Sequence, residues 1–478
     1  MEILELLIKK WCGKNSYAVK PLKQAGSNRR YFRITCNKTS VIGVVNDNVA
    51  ENQAFIYFSR HFRNKGVNVP EIYLVSADER AYLQQDIGNV NLFDLLTDNR
   101  NDYEIPQTEI INYYLKSIEH LAYMQIVASD GLDYNYAFPS KVFGKRSMKY
   151  DLNYFKYYFI KTNGIEFNEQ ELQDDVEKLT SELEVAGAKY FMFRDFQARN
   201  IMIFNNEPYF IDYQGGRKGP LQYDIASLLF QAKAALPEEI RIKLYRHYLN
   251  CVSKHITINT ELFTQHYFGF VLIRVLQTLG AYGFRGLIEN KPHFIQSIPY
   301  ALNNLKFLLY QTDVLDKYPV LKDICTQILE LKAFQNNSES KLKGLKICIT
   351  SFSYKKGIPI DLSGNGGGFV FDCRGIYNPG RIEEYRELTG RNQDVIKFLE
   401  EKSNIKEFVK RTFEILKPTI LNYKERQFSN LMINFGCTGG QHRSVYCADN
   451  LAKMLSSVPN ITVYLWHREQ NIRETFTY

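Results

Sequence analysis

Three side chains at fixed spacing have the composition needed for phosphoryl transfer. In Phe191-Met-Phe-Arg-Asp195-Phe-Gln-Ala-Arg-Asn200, a carboxylate and a carboxamide lie five residues apart behind an apolar stretch, and Asp212 follows twelve residues later in Tyr209-Phe-Ile-Asp212-Tyr. Moving a phosphoryl group asks for little covalent help. It asks for a carboxylate near the acceptor hydroxyl and for oxygen ligands to the magnesium ions that neutralise nucleotide phosphates. Asp195 suits the first role, Asn200 and Asp212 the second. A loop followed by a hairpin would deliver all three to one mouth between two lobes. Taken singly, Asp195 and Asp212 also read as turn or helix-cap acids; their joint spacing favours the chemical reading.

A second constellation follows the apolar run Leu431-Met-Ile-Asn-Phe435. In Gly436-Cys-Thr-Gly-Gly-Gln-His-Arg-Ser444, small residues allow backbone amides to converge where the next helix, Val445–Leu455, begins. A helix N-terminus favours an anion, and Thr438, Arg443 and Ser444 add donors. The closing Gly-Lys-Ser/Thr of a Walker loop is absent. The C-x-x-x-x-x-R count also fits a tyrosine-phosphatase loop, with Cys437 as nucleophile and Arg443 as anion clamp.

Both constellations have family counterparts. The first resembles the aminoglycoside phosphotransferase and choline kinase superfamily, whose loop runs H-x-D-x-x-x-x-N before a strand-borne Asp. The resemblance implies Asp195 as base and Asn200 and Asp212 as metal ligands, with ATP and Mg²⁺ as cofactors. It is closest to the sugar-1-kinases acting on N-acetylmuramate and N-acetylglucosamine, the AmgK-like branch. The matching segments are Gly26–Arg33, Leu83–Gly88, Arg194–Met202, Ile211–Gln214 and Gly219–Leu229. It implies that Gly26, Ser27 and Asn28 turn over the nucleotide phosphates with Arg29 or Arg30 close by. Phe193 replaces the loop histidine. Strand Val41-Ile-Gly-Val-Val45 carries no phosphate-binding lysine, which would leave Glu51 as a first-turn acid without that partner. For the acceptor, the aromatic stretch 138–160 offers faces suited to sugar rings, with Asp151 as a hydroxyl contact, although a helix of this kind also packs as core.

The second constellation resembles the C-terminal domain of RapZ, an RNA-binding adaptor that senses glucosamine-6-phosphate. Matching segments are Ser351–Asp361, Phe369–Arg374 with Asn378-Pro379, Leu388–Gly390, Gly436–Ser444 and His467-Arg468. They imply an amino-sugar-phosphate or phosphate pocket of Cys437, Thr438, Gly439, Gly440, His442, Arg443 and Ser444, with Arg374 and Asn378 nearby. Gly380 stands where RapZ has a histidine, Gly364–Gly368 enlarges a loop, and the chain ends Arg473-Glu-Thr-Phe-Thr-Tyr478 instead of in the basic tail that RapZ uses with RNA.

Elements must position these groups. Short strand-like runs (Tyr31–Thr35, Val41–Val45, Ala81–Gln85) precede helical stretches around 109–127, 167–186, 222–234, 236–254, 261–282 and 296–331. That order predicts an α+β bilobal kinase-like domain over 1–332, with the small sheet lobe at about 1–88 and the helical lobe at about 89–332. A polar linker is expected at 333–343. Over 344–478, strands near 345–350, 368–373, 430–435 and 461–466 alternate with helices near 391–416 and 441–457, which predicts an α/β domain with a mainly parallel sheet. The 478 residues are 45% hydrophobic and 23% charged, which excludes a disordered or collagenous chain. Of the net charge of +8, residues 341–478 supply 21 Lys+Arg against 14 Asp+Glu. That suits a phosphate-rich partner or a solvated basic face. The eight cysteines show no zinc spacing, so reduced thiols in a cytoplasmic protein are expected. The acidic, amphipathic start is unlike a signal peptide, and no uninterrupted apolar run reaches bilayer length.

The leading expectation is therefore a sugar kinase joined to an amino-sugar-phosphate module that regulates it. The competing one is a pseudokinase platform whose basic C-terminal domain captures RNA.

Overall fold

The computed structural model describes residues 2–22, 29–98, 104–331, 334, 345–359, 368–426 and 428–478. They divide into two compact units: Met1–Phe284 with Ser297–Gln335, and Arg285–Gln296 with Asn336–Tyr478. The linker expected at 333–343 falls outside the described residues apart from Phe334, as do Gly364–Gly367.

The first unit opens with helix α1 (Glu2–Cys12), acidic in its first turn and basic in its last, as the helix dipole favours. Its Leu4, Leu7 and Ile8 sit on one face and bury against Ile34, Val41, Val45, Ala81 and Leu83. Each such side chain contributes about 1.5–3 kcal/mol. The strands β1 (Tyr17–Pro21), β2 (Arg30–Cys36), β3 (Thr39–Val45), β4 (Ile72–Val75) and β5 (Ala81–Gln85) form an antiparallel sheet ordered β1-β2-β3-β5-β4. Asn37 and Lys38, both at positive φ, make the two-residue turn between β2 and β3. Between β3 and β4 runs α2 (Val49–Asn64), capped by the Asn48 side chain, which accepts from the Glu51 amide. The sheet lobe matches the expectation but has β1 and β4 in addition. Both are short and only partly buried, so neither gives a clear apolar alternation.

The helical lobe follows with α3 (Leu92–Thr97), α4 (Thr108–Tyr123), α5 (Lys145–Phe155) and α6 (Glu169–Glu184). Two small hairpin-like pairs come next. Strand β6 (Tyr190–Met192) pairs with β9 (Arg217–Gly219), and β7 (Ile201–Phe204) pairs with β8 (Glu207–Phe210). Helices α7 (Gln222–Leu229), α8 (Glu238–Ser253) and α9 (Thr260–Tyr282) complete the lobe's centre. The short α10 (Pro292–Ile295) falls in the segment grouped with the second unit, and the helical stretch expected around 296–331 comprises α11 (Ile298–Gln311) and α12 (Pro319–Glu330). Pro319 occupies the first turn of α12, where its missing N–H costs nothing.

The stretch Thr260–Ile288 is, by length and composition, apolar enough to cross a bilayer, and 67% of its most apolar window is buried within the fold. Sequence reading passed over it because Gln265, His266 and Arg274 interrupt the run. Buried Arg274, aimed at Asp195, makes α9 a core helix of this unit. The expectation of eight free thiols also fails at one pair. Cys12 and Cys36 form a disulfide, bringing together the end of α1 and the end of β2, which are neighbours only in the fold.

In the second unit, β10 (Leu345–Ser353), β11 (Gly368–Asp372), β12 (Asn430–Cys437), β13 (Ile461–His467) and β14 (Ile472–Thr477) are ordered β11-β12-β10-β13-β14. All neighbours are parallel except β13 and β14. The central strands β10 and β12 are buried along most of their length, although Thr350, Ser351 and Asn434 interrupt their apolar residues. Helices α13 (Gln393–Lys402), α14 (Ile405–Glu425) and α15 (Arg443–Met454) contribute Val395, Leu399, Val409, Leu416 and Leu451 to the core over Ile347, Ile349, Ile433 and Val463.

Candidate active site

The loop after β6 begins on a buried aromatic. Phe193 stands edge-on to Phe196 and Tyr213, with ring centres 5.2 and 5.7 Å away, and Tyr213 stacks at 4.9 Å on Phe55 of α2. Phe193 is thus an apolar anchor for the loop. Arg194 next takes φ +80°, and Asp212, at the far end of the β7–β8 hairpin, takes φ +70°. Backbone in this region is costly for residues with a side chain and persists only where surroundings enforce it.

Asp224, in the first turn of α7 and fully buried, supplies much of that enforcement. Its carboxylate accepts the amide N–H of Phe193 at 2.7 Å, that of Arg194 at 2.9 Å, and Gln125 Nε2 at 3.0 Å. Burial pushes its pKa up to about 7 against the lowering effect of those donors. The Arg194 side chain is locked as well. It makes two hydrogen bonds with Asp151, at 2.7 and 2.9 Å, donates to Tyr223 Oη at 2.6 Å, and lies over the rings of Phe143 and Tyr223.

Held this way, the three predicted residues meet. Asn200 Nδ2 donates to the Asp195 carbonyl at 2.9 Å and to Asp212 Oδ2 at 3.3 Å. With Nδ2 so engaged, Asn200 Oδ1 remains as its metal-type donor. Gln214 Nε2 donates to the other oxygen of Asp212 at 2.7 Å. The Asp195 side chain is 41% exposed, and its Oδ1 accepts from Arg274 Nη2 at 3.2 Å. Burial raises the Asp195 pKa, but the charges of Arg274, Arg194 and Arg199 outweigh that and hold it below the usual aspartate value. Asp212 goes the other way, raised by burial and by the charge of Asp195. The pair therefore holds one firm carboxylate and one that welcomes a cation.

Other predicted residues fall differently. Gly26, Ser27 and Asn28 lie outside the described residues. Arg30 is exposed on β2, whereas Arg29, 3% exposed, places Nη2 2.9 Å from Glu51 Oε1. Asp151 has both oxygens bound by Arg194 and so orients the loop instead of offering a free contact to an acceptor. Asp224 and Arg274 are not among the residues the sequence pointed to, and nothing in the sequence signalled that Arg29 would pair with Glu51. Tyr223-Asp224 stood inside a segment quoted for the family resemblance, which was the available signal.

In the second unit, β12 ends at Cys437 and α15 starts at Arg443, so the predicted strand–loop–helix is present. Ser444 Oγ and Cys437 Sγ are 3.2 Å apart. Burial raises the thiol pKa, but hydrogen bonds from Ser444, the Arg443 charge and the Gln441 amide bring it below the usual cysteine value. Arg443 is 4% exposed. Its Nη1 donates to the carbonyls of Arg374 at 3.1 Å and Ile376 at 2.9 Å, while its buried Nε has no hydrogen-bond partner among the described residues. An orphaned guanidinium N–H beside converging amides suits an anion. Thr438 and Gly439 form the exposed lip. Gly440, at φ +68°, lies where a Cβ would stand 2.4 Å from Glu469 Cγ and 2.8 Å from the Ser353 amide nitrogen.

His442 Nε2 donates to the Tyr385 carbonyl at 2.8 Å, and burial keeps the ring's pKa low. Asn378 accepts from the Gly380 amide, and Gly380 lies against both Asn378 and His442. Arg374 turns aside, chelating Asp372 and stacking 3.9 Å over Tyr354. Nearby, Ser351, His467 and Asp449 form a hydroxyl–imidazole–carboxylate chain of 2.9 and 3.3 Å. Ser351 and His467 are fully buried and Arg391 holds Asp449, so this chain braces the sheet.

Comparison with known proteins adds to this. Residues 345–471 match the RapZ C-terminal domain. A nucleotide-binding protein of Acidithiobacillus ferrooxidans is 38% identical over 168 residues, 34% of this chain and 54% of that protein. The chain thus spans about half the length of this curated relative. Among solved structures, choline kinase from Cryptosporidium parvum Iowa II is similar over 67% of this chain and 98% of its own, at 15% identity and a TM-score of 0.44. A putative aminoglycoside phosphotransferase from Ralstonia eutropha is similar over 68% and 98%, at 10% identity and a TM-score of 0.44.

Proposed function

We propose that the first unit transfers the terminal phosphoryl group of ATP to a hydroxyl of a small sugar, of the class of N-acetylmuramate and N-acetylglucosamine. The second unit holds phosphate or an amino-sugar phosphate in the Gly436–Ser444 loop. The observation that supports the first part is that Asn200 bonds both the Asp195 backbone carbonyl and the Asp212 carboxylate, on a loop whose backbone Asp224 fixes.

Asn200 Oδ1 and the Asp212 carboxylate are hard oxygen donors of the kind magnesium takes. Among the described residues no cluster of three or more His, Cys, Asp or Glu could hold a metal without help, so phosphate oxygens and water would complete the shell. Magnesium bound there would neutralise phosphate charge. Asp195, ionised at neutral pH, orients the acceptor hydroxyl and takes its proton as the new oxygen–phosphorus bond forms and the bond to ADP breaks. Arg274 holds Asp195 in place for this, itself fixed by Ser227 at 3.1 Å and Gln277 at 2.8 Å. In the second unit, the free Nε of Arg443 is the observation that supports an anion site.

The test is ATP consumption across a panel of amino sugars. Turnover dependent on one of them and lost in Asp195→Asn supports the reading; no acceptor-dependent turnover would remove it. Regulation is checked by repeating the assay with glucosamine-6-phosphate, where equal rates in wild type and Arg443→Ala exclude coupling.

A further inference from the structure

We infer that Arg217 reads a carboxylate on the acceptor, so that the first unit prefers an acidic sugar to its neutral counterpart. This deepens the phosphotransferase reading of the first unit and rests on it.

Two arginines around the loop after β6 have an acid of their own: Arg194 meets Asp151 at 2.7 Å, and Arg274 meets Asp195 at 3.2 Å. Arg217, only 8% exposed, makes no ion pair among the described residues. Its Nε donates to the Gly215 carbonyl at 2.9 Å, its Nη1 to Ser140 Oγ at 2.9 Å, and its Nη2 to the Phe138 carbonyl at a long 3.5 Å. Each of these acceptors is neutral. Buried cations are normally paired with acids, because desolvation strongly opposes an unpaired charge. Burial, with the Arg194 charge close by, pulls the Arg217 pKa down to about 10, so it is still a cation at neutral pH. The three bonds leave one N–H on each of Nη1 and Nη2, and two such donors suit the two oxygens of a carboxylate.

The fold sets this cation beside the catalytic loop. Arg217 pairs with Met192 across β9 and β6, and the loop to Asp195 starts there. Gly215 fills the space between: a Cβ on it would stand 3.8 Å from Arg194 Cβ and 3.8 Å from Arg217 Nη2. On the other side lies the start of the 138–160 stretch. It is tied to β9 by the Phe143 amide on the Lys218 carbonyl at 2.7 Å and the Lys218 amide on the Lys141 carbonyl at 2.9 Å. Lys141 and Lys218 are exposed and add charge of the same sign. Their ammonium groups meet Asn135 Oδ1 at 2.5 Å and the Tyr134 ring at 5.1 Å, and neither makes an ion pair among the described residues. Three cations with only neutral partners thus border the loop that carries Asp195. An acceptor whose hydroxyl meets Asp195 would turn an acidic substituent toward them.

The experiment compares kcat/KM of the full chain for N-acetylmuramate, its methyl ester and N-acetylglucosamine, in wild type, Arg217→Lys and Arg217→Gln. N-acetylmuramate carries a carboxylate that N-acetylglucosamine lacks, and the ester keeps the bulk while removing the charge. Wild type is expected to favour the free acid over both others by about tenfold or more, the value of a charged hydrogen bond. Arg217→Gln should bring that ratio close to one, and Arg217→Lys should keep part of it. A ratio unmoved in Arg217→Gln, with only a lower melting temperature, would overturn the inference and leave Arg217 as a brace for the 138–142 segment. If Arg217→Gln does not fold, a wild-type ratio near one overturns it, and a tenfold preference lost on esterification supports it. Phosphorylation of none of the three sugars would instead remove the phosphotransferase reading for this class of acceptor.

Discussion

The two candidate sites manage charge in opposite ways. The recess of the first unit gathers acids, and it draws arginines from separate elements to hold them: Arg274 from α9 on Asp195, and Arg194 from the loop itself on Asp151. The loop of the second unit turns the Gln441 and Ser444 amides toward Cys437 and ends on the buried Arg443, and its neighbouring acid, Glu469, is kept occupied by Lys356 and Arg468. On the proposed reading, the carboxylates meet cations that accompany a substrate's negative charge, and the second loop meets an anion directly. Both rest on distant contacts, Arg274 on Asp195 in the first and the Arg374 and Ile376 carbonyls on Arg443 in the second.

The largest effect that sharpens this contrast is expected at the proton acceptor. Asp195→Asn should lower kcat by about 10²–10⁴-fold while leaving ADP affinity within a few-fold, measured by coupled assay and calorimetry. Comparable kcat in the variant would make the recess a binding platform. At the other site, Arg443→Ala should weaken binding of phosphate or glucosamine-6-phosphate by about 10–100-fold, because a charged, buried donor is lost. Equal affinities would mean that the loop amides suffice.

A smaller effect is expected at Gly440. A methyl group there would sit on an already left-handed backbone and clash with Glu469 and the Ser353 amide, so Gly440→Ala should cost about 1–3 kcal/mol, read by denaturant melts. A neutral result would show that the loop relaxes freely. The subtlest expectation concerns pH. The native state holds the Asp224 proton more tightly than the unfolded chain, where the pKa is near the ordinary 3.8. Its contribution to stability is full below that value, declines as pH rises, and is lost once pH passes about 7. Comparing melting temperature against pH, Asp224→Asn should remove this decline, and identical slopes in both proteins would contradict it.

These sites were unequally legible. Cys437 to Ser444 could be read directly because a strand, a loop and a helix start follow one another without a break. Asp195, Asn200 and Asp212 were legible through spacing alone, since the hairpin that folds them together is itself local. Arg274 could not be found, because nothing in an apolar helix says which residue it will face. The Arg29–Glu51 pair was hidden for a related reason: β2 and α2 lie far apart in sequence, and only the register of β2 with β3 shows which of two adjacent arginines turns inward. The Arg194 pairing of Asp151 was not legible, because a polar residue on an aromatic helix gives no hint that an arginine 43 residues away will donate to both its oxygens.

The aromatic contact between Phe55 and Tyr213 has a mechanical corollary. Tyr213 directly follows Asp212, and its hydroxyl lies 2.5 Å from Ser59 Oγ on α2. Any tilt of that helix would thus be felt one peptide bond from the Asp212 carboxylate. A bulky residue wedged at Ser59 would press on α2 and on the backbone beside Asp212 at once.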